Sequence, residues 1–173
     1  AVVARKDAII DTIRNGSYKA VAKADRLDLY PAEGRFVAPR RLRMGGTEIE
    51  ADKVFLVTGM RTTRPPIDGL DTTPHYTSRT LLDLTELPEH LIVVGGGYIG
   101  TEFAQMFARF GSRVTVIQRA DRLLPGEDPD ISAAMAAGFD ADGLTVLTAT
   151  TCTAVEGEPG RIRVGCQGDE SGE

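Results

Sequence analysis

A chain of 173 residues, 42% hydrophobic and 26% charged, has the make-up of one ordinary globular domain or two small ones. Its net charge of −5 excludes the basic footprint of a nucleic-acid binder and offers no attraction to an anionic membrane surface. No apolar run reaches the length of a membrane span, and none has the layout of a signal peptide.

The chain opens on Ala1 rather than Met, so its true N-terminus is expected elsewhere. Residues 1–15 read as a helix, with Val2, Val3, Ile9, Ile10 and Ile13 in apolar stripes and Gly16 closing it. Residues 18–24 suit a further helical turn or two, and residues 27–30 a short strand closed by Pro31. Beyond Gly34, short runs at 35–37, 41–44 and 47–50 are separated by Pro39 and Gly45-Gly46. They predict a small antiparallel meander with one face to solvent. Residues 53–57 are nearly continuously apolar, which predicts a buried strand of a parallel sheet ending at Thr58-Gly59. Residues 61–88, with Pro65-Pro66, read as a connector, in which Thr77-Ser78 would cap a short helix through Leu84.

Leu91, Ile92, Val93 and Val94 form a β-branched apolar run that stops at Gly95-Gly96-Gly97-Tyr98-Ile99-Gly100. Gly95, Gly97 and Gly100 fall on the G-x-G-x-x-G spacing of a dinucleotide-binding turn. Gly95 permits the turn, Gly97 lets backbone approach a pyrophosphate, and Gly100 lets helix and strand pack closely. A helix from Tyr98 to Phe110 follows, ended by Gly111, and a second apolar strand runs from Arg113 to Ile117. Strand, turn, helix and strand in about 30 residues are what the motif requires. The helix start would then aim unpaired N–H groups and a positive dipole end at the phosphates.

Residues 130–141 read as another helix with Asp130 as N-cap and Gly143 ending it, and 144–147 as a third strand. Residues 151–155 and 161–164 read as a terminal hairpin turning in 157–160, followed by a polar, frayed tail over 167–173. Cys152 and Cys166 fit neither C-x-x-C nor C-x-x-x-x-C and read as ordinary thiols of a cytoplasmic protein. His75 and His90 lack metal-ligand spacing; each is expected at the surface, and no metal site is expected.

Five stretches occur in a shared order: residues 54–59, Pro65 to Leu70, Leu87-Pro88, Gly95 through Glu102, and Leu123-Leu124-Pro125. In that order they resemble the pyridine nucleotide-disulfide oxidoreductases, and residues 103–112 are most similar to their mercuric reductase-like and dihydrolipoamide dehydrogenase-like branch. The resemblance implies an α/β fold: a partial FAD domain with an antiparallel meander over 1–60, a linker over 61–88 and a Rossmann-like NAD(P) domain over 89–173. It also implies segments this chain lacks: an N-terminal FAD motif, a redox cysteine pair and a C-terminal dimerisation domain. The chain is therefore expected to be a fragment, inactive alone, of a cytoplasmic homodimer.

By the same resemblance, Gly95, Gly96, Gly97, Tyr98, Ile99 and Gly100 contact the dinucleotide, and the Thr58-Gly59 backbone passes close to FAD. Tyr98 covers the flavin face and moves when nicotinamide enters; Glu102 lies near the nicotinamide. The alternatives are a strand-ending turn for Thr58-Gly59, a half-buried helix-start residue for Tyr98 and a dipole-favoured first-turn acid for Glu102. At the end of the second strand an acid would hydrogen-bond the ribose of NAD. This chain has Gln118, Arg119 and a nearby Arg122, which suit the 2′-phosphate of NADP, although both arginines also suit a solvated loop. Gly100 leans toward NAD. The expected function is hydride transfer from NADPH to FAD, and on to a disulfide or a metal ion such as Hg(II). The alternatives are an NAD-dependent dihydrolipoamide dehydrogenase and a non-catalytic redox-sensing module.

Overall fold

The structure is a computed structural model that describes residues 2–168. Two compact units divide the chain, one ending at Arg61 and one starting at Thr62.

In the first unit, α1 (Val2–Ala22) runs straight through Gly16. A helix-ending glycine turns left-handed, and Gly16 does not: its φ is not positive. The expected end at residue 15 is thus corrected, and the further turns predicted at 18–24 are the same helix. α1 buries none of its residues. Residues 27–30 form no strand.

The meander is as the alternation requires: β1 (Gly34–Ala38), β2 (Arg41–Met44) and β3 (Thr47–Glu50) pair antiparallel in that order. Gly45 supplies φ +57° at the second turn. Directly opposed Arg41–Glu50 and Arg43–Glu48 form ion pairs on one face, and Leu42 opposes Ile49 on the other. The expected buried strand at 53–57 is not formed: Phe55 is 82% exposed and Val57 91%. Its composition suits burial between neighbours, but no strand among the described residues pairs with it.

The second unit is built on β4 (His90–Val94), α2 (Tyr98–Phe110), β5 (Arg113–Ile117), α3 (Pro129–Ala141) and β6 (Thr145–Leu147). The three strands are parallel, in the order β4-β5-β6. Central β5 buries Val114 and Val116, which join Ala104 and Phe107 of α2, Phe139 of α3, Leu123 and Leu144 in one apolar core. Gly111 ends α2 at φ +107°; its N–H donates to Ala108 O at 2.9 Å and that of Ser112 to Phe107 O at 3.0 Å. The N-cap of α3 is Asp128 rather than Asp130, because Pro129 is favoured at the first helical position.

Residues 62–88 belong to this unit. The helix expected through Leu84 is a single 3₁₀ turn (Leu81–Asp83), whose Leu81 enters the core. The hairpin β7 (Thr150–Glu158) and β8 (Arg161–Gly168) is longer than its apolar runs suggested. Of the tail expected to fray, Gln167 and Gly168 are in β8, and residues 169–173 lie outside the described residues. A parallel bridge between Asp68 and Ala154 ties the connector to β7.

His90 is half-buried rather than a surface residue. The Arg113 guanidinium, which can only donate, reaches its Nδ1 at 3.0 Å, so Nε2–H donates to Thr115 Oγ1 at 2.9 Å. The ring is therefore held neutral. Burial first, and the Arg113 charge second, push its pKa below the usual histidine value. In the unfolded chain His90 takes up a proton below about pH 6.5, before the folded chain does. This contribution is present above that pH and is lost as pH falls toward the lowered folded value. Thermal melts should show Tm declining on mild acidification, and the decline should shrink in His90→Gln; an identical decline in both would refute it.

Candidate dinucleotide site

β4 delivers the chain to Gly95, whose φ of +110° turns it away from the sheet. The Gly95 N–H still donates to Ile117 O at 2.8 Å, so the turn starts inside the β4–β5 ladder. Gly96 lies against the loop after β5: a Cβ there would stand 2.6 Å from Leu123 Cδ2. Its N–H donates to Gln118 Oε1 at 3.0 Å, and its carbonyl accepts Leu124 N–H at 2.8 Å.

Gly97 is the N-cap of α2, with extended backbone and no side chain to cap the first turn. A Cβ on it would meet nothing within 4 Å. The first-turn N–H groups and the positive end of the helix therefore open onto unobstructed space beside Gly97. Gly100 is the reverse: its Cβ would lie 2.0 Å from Gly95 O and 3.4 Å from Val93 Cγ1. Thr101 stitches the first turn, its Oγ1 3.1 Å from Gly97 O and 2.9 Å from Tyr98 O.

The loop after β5 sets the other wall. Leu124, buried, holds φ +47°, a left-handed conformation that a bulky side chain rarely adopts and that strained binding loops often contain. Leu123 and Leu124 thus brace the glycine turn, a part that the sequence offered only as a family resemblance. Gln118, expected to face the ribose, is instead 8% exposed. Its Oε1 is taken by Gly96 N–H, and its Nε2 donates to Arg122 O at 3.3 Å. That position holds the loop, because the unpaired Gly96 N–H needs an acceptor.

Arg122 is folded onto its own loop, donating to Pro125 O at 3.2 Å. Arg119 is exposed, with neither hydrogen bond nor ion pair among the described residues. Tyr98 and Ile99 are exposed at the start of α2. The Tyr98 hydroxyl donates to the Glu127 carboxylate, and that hydrogen bond and charge raise the phenol pKa. Glu102 is exposed one turn along α2 from Tyr98, on the same face. Thr58 and Gly59 belong to the first unit, where Gly59 has φ +73° and open space around it.

The family model for pyridine nucleotide-disulphide oxidoreductases matches residues 2–172. The chain is 40% identical over 150 residues to the probable pyridine nucleotide-disulfide oxidoreductase RclA of Escherichia coli, covering 84% of this chain and 34% of that protein. It is 36% identical over 155 residues to the mercuric reductase of Bacillus cereus, covering 90% and 25%. The solved structure of the HOCl-induced flavoprotein disulfide reductase RclA from Escherichia coli, as its Cu(II) complex, superposes with a TM-score of 0.85 at 35% identity, covering 98% of this chain and 39% of that one. The chain therefore spans about a third of the length of such relatives. On the family match and the glycine turn together, it belongs to the pyridine nucleotide-disulphide oxidoreductases.

Proposed function

We propose that residues 62–168 bind a pyridine dinucleotide with its diphosphate on the N-terminus of α2, as part of a flavin-dependent oxidoreductase. The observation that carries this reading is the contrast between three glycines. Gly95 and Gly100 are required by the turn itself, whereas Gly97 is bare, uncapped and open. A bare N-cap beside open space suits a diphosphate, whose oxygens can accept the first-turn amides. When bound, the dinucleotide supplies a hydride, which FAD in the whole protein would pass on as electrons to a disulfide or to a metal ion such as Hg(II).

The chain's own residues have narrower tasks. The α2 amides hold and orient the diphosphate. Tyr98, exposed and tethered through its hydroxyl to Glu127, shields the flavin side and swings away for nicotinamide, with Glu102 beside it. Thr58-Gly59, with open space around Gly59, would bring its backbone close to FAD in the whole protein. Homodimerisation and a cytoplasmic setting belong to the same reading of the whole protein and rest on the family likeness.

NADPH is the coenzyme this reading favours. No acid stands at the end of β5, and Arg119 is an exposed guanidinium without a partner among the described residues, suited to a phosphate dianion. Fluorescence titration should give tighter binding of NADPH than of NADH. Arg119→Ala should weaken NADPH roughly tenfold, the worth of one charge-assisted contact of about 1.4 kcal/mol, and leave NADH unchanged. Tighter NADH binding, or an NADPH affinity indifferent to the substitution, would overturn it. The second reading, NADH in a dihydrolipoamide dehydrogenase-like protein, is favoured by Gly100, where no methyl fits; the same titration decides it. A redox-sensing module would bind the dinucleotide too, and turnover by the whole protein would exclude it.

A further inference from the structure

Both cysteines of the chain lie on the β7–β8 hairpin, and its register sets Cys152 directly opposite Cys166. That pairing depends on an irregularity. From the turn as far as Ala154, which opposes Gly165, an unbroken register would continue with Thr153 opposite Cys166 and Cys152 opposite Gln167. The register shift between Cys152 and Ala154 brings the two cysteines together. Contacts around the bulge hold it: the Thr153 carbonyl accepts Asp68 N–H at 3.0 Å, and Thr153 Oγ1 donates to Gly165 O at 3.3 Å.

Directly opposed residues of an antiparallel pair stand on one face, with Cα atoms roughly 4.5 or 5.5 Å apart. A disulfide spans Cα separations of about 4.4–6.8 Å. Both thiols are free. They differ in access: Cys152 is 7% exposed, whereas Cys166 is exposed. Burial, with the neighbouring Cys166 adding to it, raises the Cys152 thiol above its ordinary pKa.

We propose that Cys152 and Cys166 are a redox-active pair that closes to a reversible cross-strand disulfide when hydrogen peroxide oxidises Cys166. The exposed Cys166 thiolate attacks a peroxide oxygen; the O–O bond breaks, leaving a sulfenic acid and releasing hydroxide that protonates to water. Cys152 then gives up its proton, and its sulfur attacks the Cys166 sulfur. The S–O bond breaks, the S–S bond forms and a second water leaves. The two thiols supply the two electrons that reduce the peroxide, and a small dithiol returns them by exchange. Exposure divides the roles: Cys166 meets the oxidant, and Cys152, shielded, resolves it. The pair lies outside the dinucleotide turn and does not depend on its function.

The test is intact-mass spectrometry and differential alkylation of the reduced chain after mild hydrogen peroxide. The expected product is a monomer lighter by two hydrogen atoms, with both thiols blocked, one cross-linked peptide joining positions 152 and 166, and full recovery in dithiothreitol. Because the chain has only two cysteines, that mass change has one assignment. Cys152→Ala should leave Cys166 to gain oxygen atoms or to link two chains. Cys166→Ser, a change at an exposed position, should leave Cys152 resistant to the same treatment. Oxygen adducts or linked dimers in the unaltered chain, with Cys152 still alkylated after unfolding, would overturn the proposal.

Discussion

Replacing Gly97 with aspartate should weaken dinucleotide binding by at least about 30-fold and leave the fold intact. Nothing lies within 4 Å of the position a Cβ would take, and the backbone there is extended with negative φ, so a side chain fits without strain. Aspartate is among the best N-cap residues, and its carboxylate favours the positive end of a helix. Stability should hold or rise, by about 0.5 kcal/mol. The same carboxylate takes the first-turn amides and opposes a diphosphate with its charge. Losing charge-assisted contacts worth about 2–3 kcal/mol weakens binding roughly 30- to 150-fold, before repulsion is added. Calorimetric titration with NADPH, alongside a thermal melt, separates the two effects. Normal affinity in a folded Gly97→Asp chain would mean that the diphosphate lies elsewhere.

Gly100→Ala should act the other way, on the fold before the ligand. The added methyl would lie 2.0 Å from the Gly95 carbonyl oxygen, a backbone atom that cannot rotate aside. Either α2 moves away from β4 or the turn opens, and both disturb the core around Ala104 and Phe107. Forced overpacking of this kind costs about 2 kcal/mol, which for a unit near this size lowers Tm by roughly 10 °C. Binding should weaken as well, since the turn and the helix start shift together. An unchanged melting curve would show that the turn yields easily, and Gly100 would then be no packing requirement.

Much of this site was legible because its signals are local. The span from β4 through β5 is written in a continuous apolar run at 91–94, a glycine turn, a helical period along α2, and Gly111 with positive φ at the helix end. Non-local choices were not legible. The inward turn of Gln118 is decided by a Gly96 N–H 22 residues away that needs an acceptor. The pairing of Cys152 with Cys166 hangs on a one-residue bulge that alternation does not encode. The apolar run at 53–57 advertised only a capacity for burial, and whether a strand forms depends on a neighbour to pair with. Gly16 failed as a stop signal because α1 is exposed, and an exposed glycine in a long helix costs only about 1 kcal/mol.

Gln118 limits how coenzyme preference can be re-engineered. An obvious way to recruit NADH would be to install an acid at the end of β5, yet here that residue also fastens the glycine turn through the Gly96 N–H. A glutamate would keep the acceptor for Gly96 but aim its other oxygen at the Arg122 carbonyl, in a site with almost no solvent to soften the clash. Selectivity in this protein is better adjusted at Arg119, whose side chain carries no such structural duty.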